Sequence, residues 1–465
     1  MTWPAGIAAV GILADRGRLR LWRWWRPATV GALVVLWAKT IQVLYVAFGL
    51  FIWLGVDFRH LYSQARVLSS GRPWAIYDRD AVAQVGQALA VYAHDPVLNR
   101  RDPVWVMEPG VVPYPPVFAW LFAPFTLPPP PIGFALWTGL NLLATLYLGA
   151  RMATLFPKGE RRWVVPLLLV SFPVVYTFML GQPMMLLACA VAECYLSLRA
   201  GHDLSAGLWL SVLLFKPQYG ILLGPLLLWK RRWRAVTGVA AGGVVILAAS
   251  VLLVGVEALR AFPSALMGMS DFRGGGGTYP GNMINWRKVI LTAQEWLGPR
   301  LSDQSAVLLT VLLGVATAGC ALAAWRGPWS PREPRFAVRM SLLLLATVLA
   351  NYHSHVYGAV LLAMPVADMF AGGRPRLLTR VSILAAAALP PVLILFLPLT
   401  YTLVLTLLLF VCFGALLAES WPPGSEPGGA VQPILAAPRP GTHNRDAAYA
   451  QPIPDPGAVK LAGGD

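Results

Sequence analysis

Charged residues are scarce in this chain: 12% of its 465 residues are Asp, Glu, Lys or Arg, against 57% hydrophobic and a mean hydropathy of +0.61. That composition excludes a soluble globular domain, which needs a charged surface over its core. Cysteine is scarce too. Cys189, Cys194, Cys320 and Cys412 all fall inside apolar runs, with no zinc-ligand spacing and none in a polar loop where a disulfide would form. They read as packing residues. No glycine-rich loop of the P-loop or dinucleotide type is present to hold a soluble nucleotide, and no Ser/His/Asp grouping is apparent. Acidic residues are outnumbered by basic ones, 21 to 37, for a net charge of +16. Most of that surplus lies between apolar runs, where positive charge sets orientation and meets anionic lipid, so it does not signal nucleic acid.

Apolar length is what the chain has in abundance. Runs of about 20 residues, each able to cross a ~30 Å hydrocarbon core, recur along most of it. The expected fold is an all-α polytopic membrane protein. A single integral-membrane domain covers residues 1–418, and residues 419–465, rich in Pro, Gly and Ala, form a disordered cytoplasmic tail. Twelve spans are expected, near 29–54, 132–151, 162–178, 183–199, 204–216, 218–229, 234–256, 303–325, 336–350, 355–371, 378–396 and 399–418. The pair 204–216 and 218–229 is too short for two full crossings and reads as half-helices meeting at Lys216-Pro217.

Arg16, Arg18, Arg20, Arg23 and Arg26, interleaved with Trp22, Trp24 and Trp25, form a basic aromatic collar before the first span. The run behind it is longer than a signal-peptide core, so it reads as a retained anchor with the amino terminus in the cytoplasm. Lys39 reads as a lysine snorkelling to that side. Basic clusters at 151–162, 230–234, 326–339 and 374–380 all become cytoplasmic if the short, proline-bounded segment Tyr114–Pro128 does not cross. Two long outer loops remain, 55–131 and 257–302. The first is expected to fold as helices lying on the membrane, and the second contains the flexible run Gly274–Gly277.

One carboxylate stands where the first span ends. Asp57, in Gly55-Val56-Asp57-Phe58-Arg59-His60-Leu61-Tyr62, emerges on the outer face, where lipid-borne and water-borne reactants both reach it. The plain alternative is an Asp that ends a helix and prefers water. Other unusual residues fall on the same side: Tyr114, Gln182, Lys216 with Gln218, the run Asn285-Trp286-Arg287-Lys288, and His353 with His355. An outward-facing polar cavity accounts for them together. Each keeps a plainer reading: Lys216 as a structural snorkeller, Gln182 as a turn cap, Arg287 and Lys288 on lipid headgroups, the histidines as incidental. One carboxylate with several cations suits group transfer from a lipid phosphate. The carboxylate takes the proton of an acceptor hydroxyl, and the cations meet the charge that develops on the departing phosphate. A divalent ion stays open with little carboxylate support; no metal ligand is assigned and no cofactor is required.

Val56-Asp57-Phe58 with Tyr62, and the run Leu68-Ser69-Ser70-Gly71-Arg72-Pro73-Trp74-Ala75-Ile76-Tyr77-Asp78, resemble the first-loop signature of glycosyltransferase family 87. Further matches follow in order: Tyr114-Pro115-Pro116, Leu136-Trp137 with Asn141, Gly181-Gln182, Leu214 to Gln218, Asn285-Trp286-Arg287, and His353 to Tyr357. The resemblance runs from about residue 50 to 370. It implies the membrane-embedded glycosyltransferase C fold and polyprenyl-phosphate sugars as donors, mostly polyprenyl phosphomannose, used outside the cytoplasmic membrane. It also implies Asp57 as catalytic base, with Lys216 and His355 or His353 at the donor phosphate. Two departures leave the acceptor and the donor sugar open. Gly358 stands where many relatives carry Asp, and Gln182-Pro183 replaces the commoner Gln-Asn; relatives that transfer arabinose exist.

The combined expectation is an inverting glycosyltransferase of the inner membrane with its site on the extracytoplasmic face. It moves a sugar, with mannose the leading candidate, from polyprenyl phosphate to a lipid-linked or cell-envelope glycan. Asp57 is the base; Lys216, His355, His353 and Arg287 bind the donor phosphate; Tyr62, Tyr114, Gln182, Gln218, Asn285, Trp286 and Tyr357 line the cavity. Donor, acceptor glycan and membrane lipids are the expected partners, with no nucleic acid. The alternatives are a transporter or flippase of lipid-linked sugars, a ligase, or arabinofuranosyl transfer. No internal hydropathy repeat of the transporter kind is visible, and the long first loop with its early Asp favours an enzyme.

Overall fold

The computed structural model describes residues 27–42, 55–89, 94–95, 100–101, 110–267, 280–372, 375–397 and 400–421. The Arg16–Arg26 collar, the Gly274–Gly277 run and nearly all of the expected tail lie outside them. The chain divides into units Met1–Pro422 and Pro423–Asp465, the second outside the described residues.

The described residues are helical, apart from a ladder of two residues a side, β1 (His94–Asp95) with β2 (Arg100–Arg101). In order, the helices are α1 (27–42), α2 (Val56–Ser69), α3 (Arg79–Ala88), α4 (Pro116–Phe122), α5 (Pro130–Ala153), α6 (Val164–Leu169), α7 (Phe172–Leu180), α8 (Met184–Ala200), α9 (Asp203–Ser211), α10 (Leu223–Trp229), α11 (Trp233–Leu253) and α12 (Val256–Met267). Then come α13 (Trp286–Leu297), α14 (Asp303–Ala323), α15 (Pro334–Ala350), α16 (Ala363–Gly372), α17 (Leu377–Ala388), α18 (Pro390–Phe396) and α19 (Tyr401–Ser420).

Among the described residues, fewer long spans stand out than the twelve expected, and residues 43–54 of the first expected span lie outside them. Four helices among the described residues are long and apolar enough to cross a membrane: α5, α11, α14 and α19. Two bent pairs raise the number to six: 161–169 with α7 at 49°, and α17 with α18 at 55°. Proline explains both bends, since Pro173 and Pro390-Pro391 open the second helix of each pair and cannot continue the first. Of the expected spans that lie wholly within the described residues, the others are shorter helices. α15 and α8, 17 residues each, are enclosed by their neighbours almost along their length. α11 is the opposite case: Val244, Val245 and Leu252 stand largely exposed, an arrangement stable only against lipid. Residues Pro116–Thr126 form one short apolar helix, α4 and its 3₁₀ extension; at 1.5 Å per residue that is about 16 Å, too short to cross.

The stretch 203–229 folds back on itself. α9 and α11 run parallel, with Gly207 against Ala235, Gly238 against Leu204 and Leu208, and Gly242 against Ser211. A Cβ at Gly207 would fall 1.9 Å from the Ala235 carbonyl oxygen, so the Gly238-xxx-Gly242 face of α11 permits an approach that larger residues forbid. Since α9 and α11 point the same way, α10 returns between them, and the 3₁₀ turns Val212–Phe215 and Pro217–Tyr219 form the tip of a hairpin. Leu214 lies level with Gly243, ten residues short of the end of α11, so Lys216 is held about 15 Å below that end. The half-helices expected at Lys216-Pro217 are this hairpin.

At the other end of the bundle the basic residues collect. Arg151 pairs with Glu193 at 2.6 Å, Arg199 with Asp368 at 3.4 Å, and Arg232 with Asp203. Lys230 donates to the Gly327 carbonyl at 2.8 Å, and Arg199 to that of Glu333 at 3.2 Å. Three of the four basic clusters thus lie together, away from Asp57, as positive-inside bookkeeping requires.

Candidate active site

Two glycines make the junction on which the site rests. Gly181 ends α7 in the left-handed region (φ 73°), and Gly55 precedes α2 at φ 60°. A Cβ on Gly181 would come 2.7 Å from the Phe58 Cβ, and one on Gly55 would come 2.7 Å from the Leu180 carbonyl oxygen. Only residues without side chains allow the α7–α8 turn to touch the first turn of α2. Trp137 locks the turn by donating from Nε1 to the Gly181 carbonyl at 2.7 Å. Beneath it, Phe58, Phe122, Phe134 and Tyr62 form an aromatic floor.

The junction sets Asp57 beside Gln182. Asp57 is half-buried, and the Gln182 side chain lies next to its carboxylate. The Gln182 Oε1 accepts from the Lys216 Nζ at 2.7 Å and from the Tyr114 hydroxyl at 3.3 Å. Lys216 is buried between two aromatic faces, 4.7 Å from the Tyr357 centroid and 5.2 Å from that of Tyr114. These contacts offset the loss of water around an ammonium held deep in an apolar bundle. Burial lifts the Asp57 carboxyl above its ordinary range, while His60, Lys216 and Gln182 pull it back. Burial likewise lowers His60 against the attraction of Asp57, and its Nδ1 is bonded to the Gly110 backbone.

A second group continues from Lys216. The backbone of Met283 bridges His355, and Ile284 N donates to the Ser354 carbonyl at 3.0 Å, so two loops distant in sequence share one short ladder. His355 Nδ1 faces the Asn282 carbonyl at 3.3 Å, and its ring stacks on Tyr357 at 5.4 Å. It lies within electrostatic reach of Lys216, His353 and Arg287. Arg287 is fully buried, with its guanidinium 4.4 Å from the Tyr352 centroid and Nη1 3.4 Å from His353 Nδ1. Burial, then Arg287, push His353 down to about 4, so near neutral pH it offers hydrogen bonds and no charge.

The expected residues thus divide. Asp57, Tyr114, Gln182, Lys216, Tyr357 and His355 converge, and His353 with Arg287 extend the group. Asn285 and Trp286 brace it and do not line it. Asn285 caps α13 through Lys288 N and donates to the Asn351 and Tyr352 carbonyls at 2.7 and 3.2 Å. Trp286 donates to Thr317 at 2.8 Å and packs on Phe410, on the far side of α13. Tyr62 belongs to the aromatic floor. Gln218 sits half-buried at the hairpin tip, two residues after Lys216. Arg287 and Lys288 part company, because adjacent helical positions differ by about 100°. Lys288 faces a separate cleft of about 610 Å³ lined also by Glu295, Gln294 and Asp303, away from Asp57. Among the described residues no group of three or more His, Cys, Asp or Glu is placed to hold a metal.

Sequence reasoning missed three phenols that face Asp57 or its neighbours. Tyr176 stacks on Tyr357 at 6.4 Å and hydrogen-bonds Tyr401, and Tyr219 packs fully buried against Gly358. Their sequence signal was weak: hydroxyl-bearing aromatics within apolar runs, of which Tyr219 alone adjoins a singled-out motif. Gly358 now has a reason. A Cβ there would lie 2.7 Å from the Tyr219 Oη, leaving no room for an acid.

The model of glycosyltransferase family 87 matches residues 113–351, just over half of the chain. That range holds Tyr114, Gln182, Lys216, Gln218 and Arg287, while Asp57 and Tyr62 precede it and His353, His355 and Tyr357 follow it. No curated protein and no solved structure matches the chain. The matched stretch and the lipid-exposed apolar helices that carry it lead to one conclusion: the chain belongs to glycosyltransferase family 87 and is a membrane glycosyltransferase.

Proposed function

We propose that the protein is an inverting transferase of the glycosyltransferase C type, using a polyprenyl-phosphate sugar, with mannose the first candidate, and a lipid-linked or cell-envelope glycan as acceptor. The observation that carries this reading is the line of groups from Asp57 through Lys216 and His355 to His353 and Arg287. It puts one carboxylate at one end and cations or hydrogen-bond donors along the rest.

Asp57 takes the proton of the acceptor hydroxyl as its oxygen bonds to the sugar C1. The C1–O bond to phosphate breaks, and its electron pair leaves with the phosphate. Arg287, His353, His355 and Lys216 hold that phosphate and meet its added charge, so the protein's own groups take the part a divalent ion plays elsewhere. Attack opposite the leaving group inverts the anomeric centre. The exposed apolar helices leave the prenyl chain in lipid, and the site opens on the extracytoplasmic face of the inner membrane, the side opposite the gathered basic clusters.

The test uses purified protein, radiolabelled polyprenyl phosphomannose and an extract of host membrane lipids, with Asp57→Asn in parallel. Label entering a new glycolipid with wild type alone supports the reading. Equal transfer by both proteins removes Asp57 as base. No transfer by wild type, repeated with polyprenyl phosphoarabinose, overturns the donor class.

A further inference from the structure

We infer that Gln182 is the positioning residue for Asp57: Lys216 and Tyr114 fix the direction of its amide so that the N–H side always faces the carboxylate. This deepens the transferase reading and rests on it.

Donor and acceptor chemistry fixes the direction of the amide. An ammonium has three donors and no acceptor, so the Gln182 atom 2.7 Å from the Lys216 Nζ must be oxygen. The Tyr114 hydroxyl, 3.3 Å away, donates to that same oxygen. Tyr114 is held in turn, because its ring stacks on Phe118 at 4.4 Å and its carbonyl accepts from the Tyr77 hydroxyl. With Oε1 committed twice, the amide cannot flip, and Nε2 is the atom left to meet Asp57. Gln182 is itself buried, and its backbone N closes the end of α7 by donating to the Thr177 carbonyl at 3.1 Å. The amide therefore turns a remote positive charge into an aimed donor. It orients the carboxylate and favours its ionised form without a direct Lys–Asp pair, whose ammonium would occupy the oxygen that must take the proton. The chain from Lys216 also couples the hairpin tip to the base.

Gln182→Glu separates this role from simple bracing. The new side chain is isosteric and still accepts from Lys216 and Tyr114, but it can no longer donate to Asp57 and sets a second carboxylate beside it. The measurement is kcat and donor KM for transfer from polyprenyl phosphomannose to the host lipid extract, with full-length protein in detergent and melting temperature recorded alongside. The expected result is a fall in kcat of tenfold or more with donor KM within about twofold of wild type. A kcat within twofold of wild type, or a loss confined to KM, overturns the inference. Should Gln182→Glu not fold, Tyr114→Phe removes one bond to Oε1 and keeps both ring contacts. It is expected to lower kcat severalfold at constant KM, and an unchanged kcat overturns the inference equally. Absence of transfer by wild type defeats the transferase reading itself, so the two failures are distinguishable.

Discussion

Gly181→Ala tests the junction that builds the site, and Gly201→Ala is its internal control. Both glycines end helices in the left-handed region, at φ 73° and φ 80°. Around Gly201 an added Cβ meets nothing within 4 Å; at Gly181 it meets the Phe58 Cβ at 2.7 Å and the Phe134 ring at 3.2 Å. The backbone strain is therefore common to both, about 1–2 kcal/mol for an L-residue in that region. Gly181→Ala adds overpacking of about 1–3 kcal/mol, since a Cβ atom, unlike a flexible side-chain end, can yield only by moving the α2 backbone. About 2–5 kcal/mol is expected against about 1–2 for the control. Thermal unfolding followed with a thiol-reactive dye suits this chain, because Cys194 and Cys412 are buried and report opening, with exposed Cys320 replaced by Ser. Unfolding of such a protein is treated as a ranking, not an equilibrium. Gly181→Ala should lower the melting temperature at least twice as far as Gly201→Ala and alone should reduce transfer, since α2 carries Asp57. Equal shifts for the two variants would refute the junction argument.

Asp57→Asn should reduce kcat by about 10²–10⁴-fold at unchanged donor KM. The raised Asp57 carboxyl has a sign: the base works ionised, so kcat should fall as pH drops through a value above the ordinary 3.8. Because the fold disfavours the ionised form, Asp57→Asn should melt no lower than wild type at neutral pH. Arg287→Lys keeps the charge but loses the planar guanidinium over Tyr352 and beside His353. Donor KM should rise by about tenfold, ~1.4 kcal/mol, with kcat little changed, as read from donor titrations. Gly358→Ala should destabilise the fold by about 1–3 kcal/mol through contact with Tyr219, seen as a lower melting temperature. Adding Tyr219→Leu should recover part of that loss, and strict additivity of the two effects would count against the contact.

Much of this was legible in the sequence, because the physics involved is local. Membrane character follows from run length and hydropathy, which do not depend on how helices pack. The non-crossing segment before Pro128 was readable because proline bounds a helix wherever it stands. The break at Lys216-Pro217 was readable for the same reason, and because a lysine in an apolar run demands a purpose. Asp57, Gln182, Lys216 and the two histidines could be singled out as polar groups in costly places.

Tertiary structure decided the rest. Hydropathy counts apolar residues but not what they face, so the buried α8 and α15 looked like the lipid-facing α11. A helix face, too, is chosen only on packing: Trp286 and Arg287 adjoin in sequence, yet one braces α14 while the other reaches His353. Tyr176 and Tyr219 became site residues only when the α7 and hairpin backbones met. The sequence by itself determined that the chain lives in a membrane and which polar residues it cannot afford to waste there. Only the folded chain decided that Gly55 and Gly181 touch, which sets the carboxylate against the amide, and the amide against the lysine.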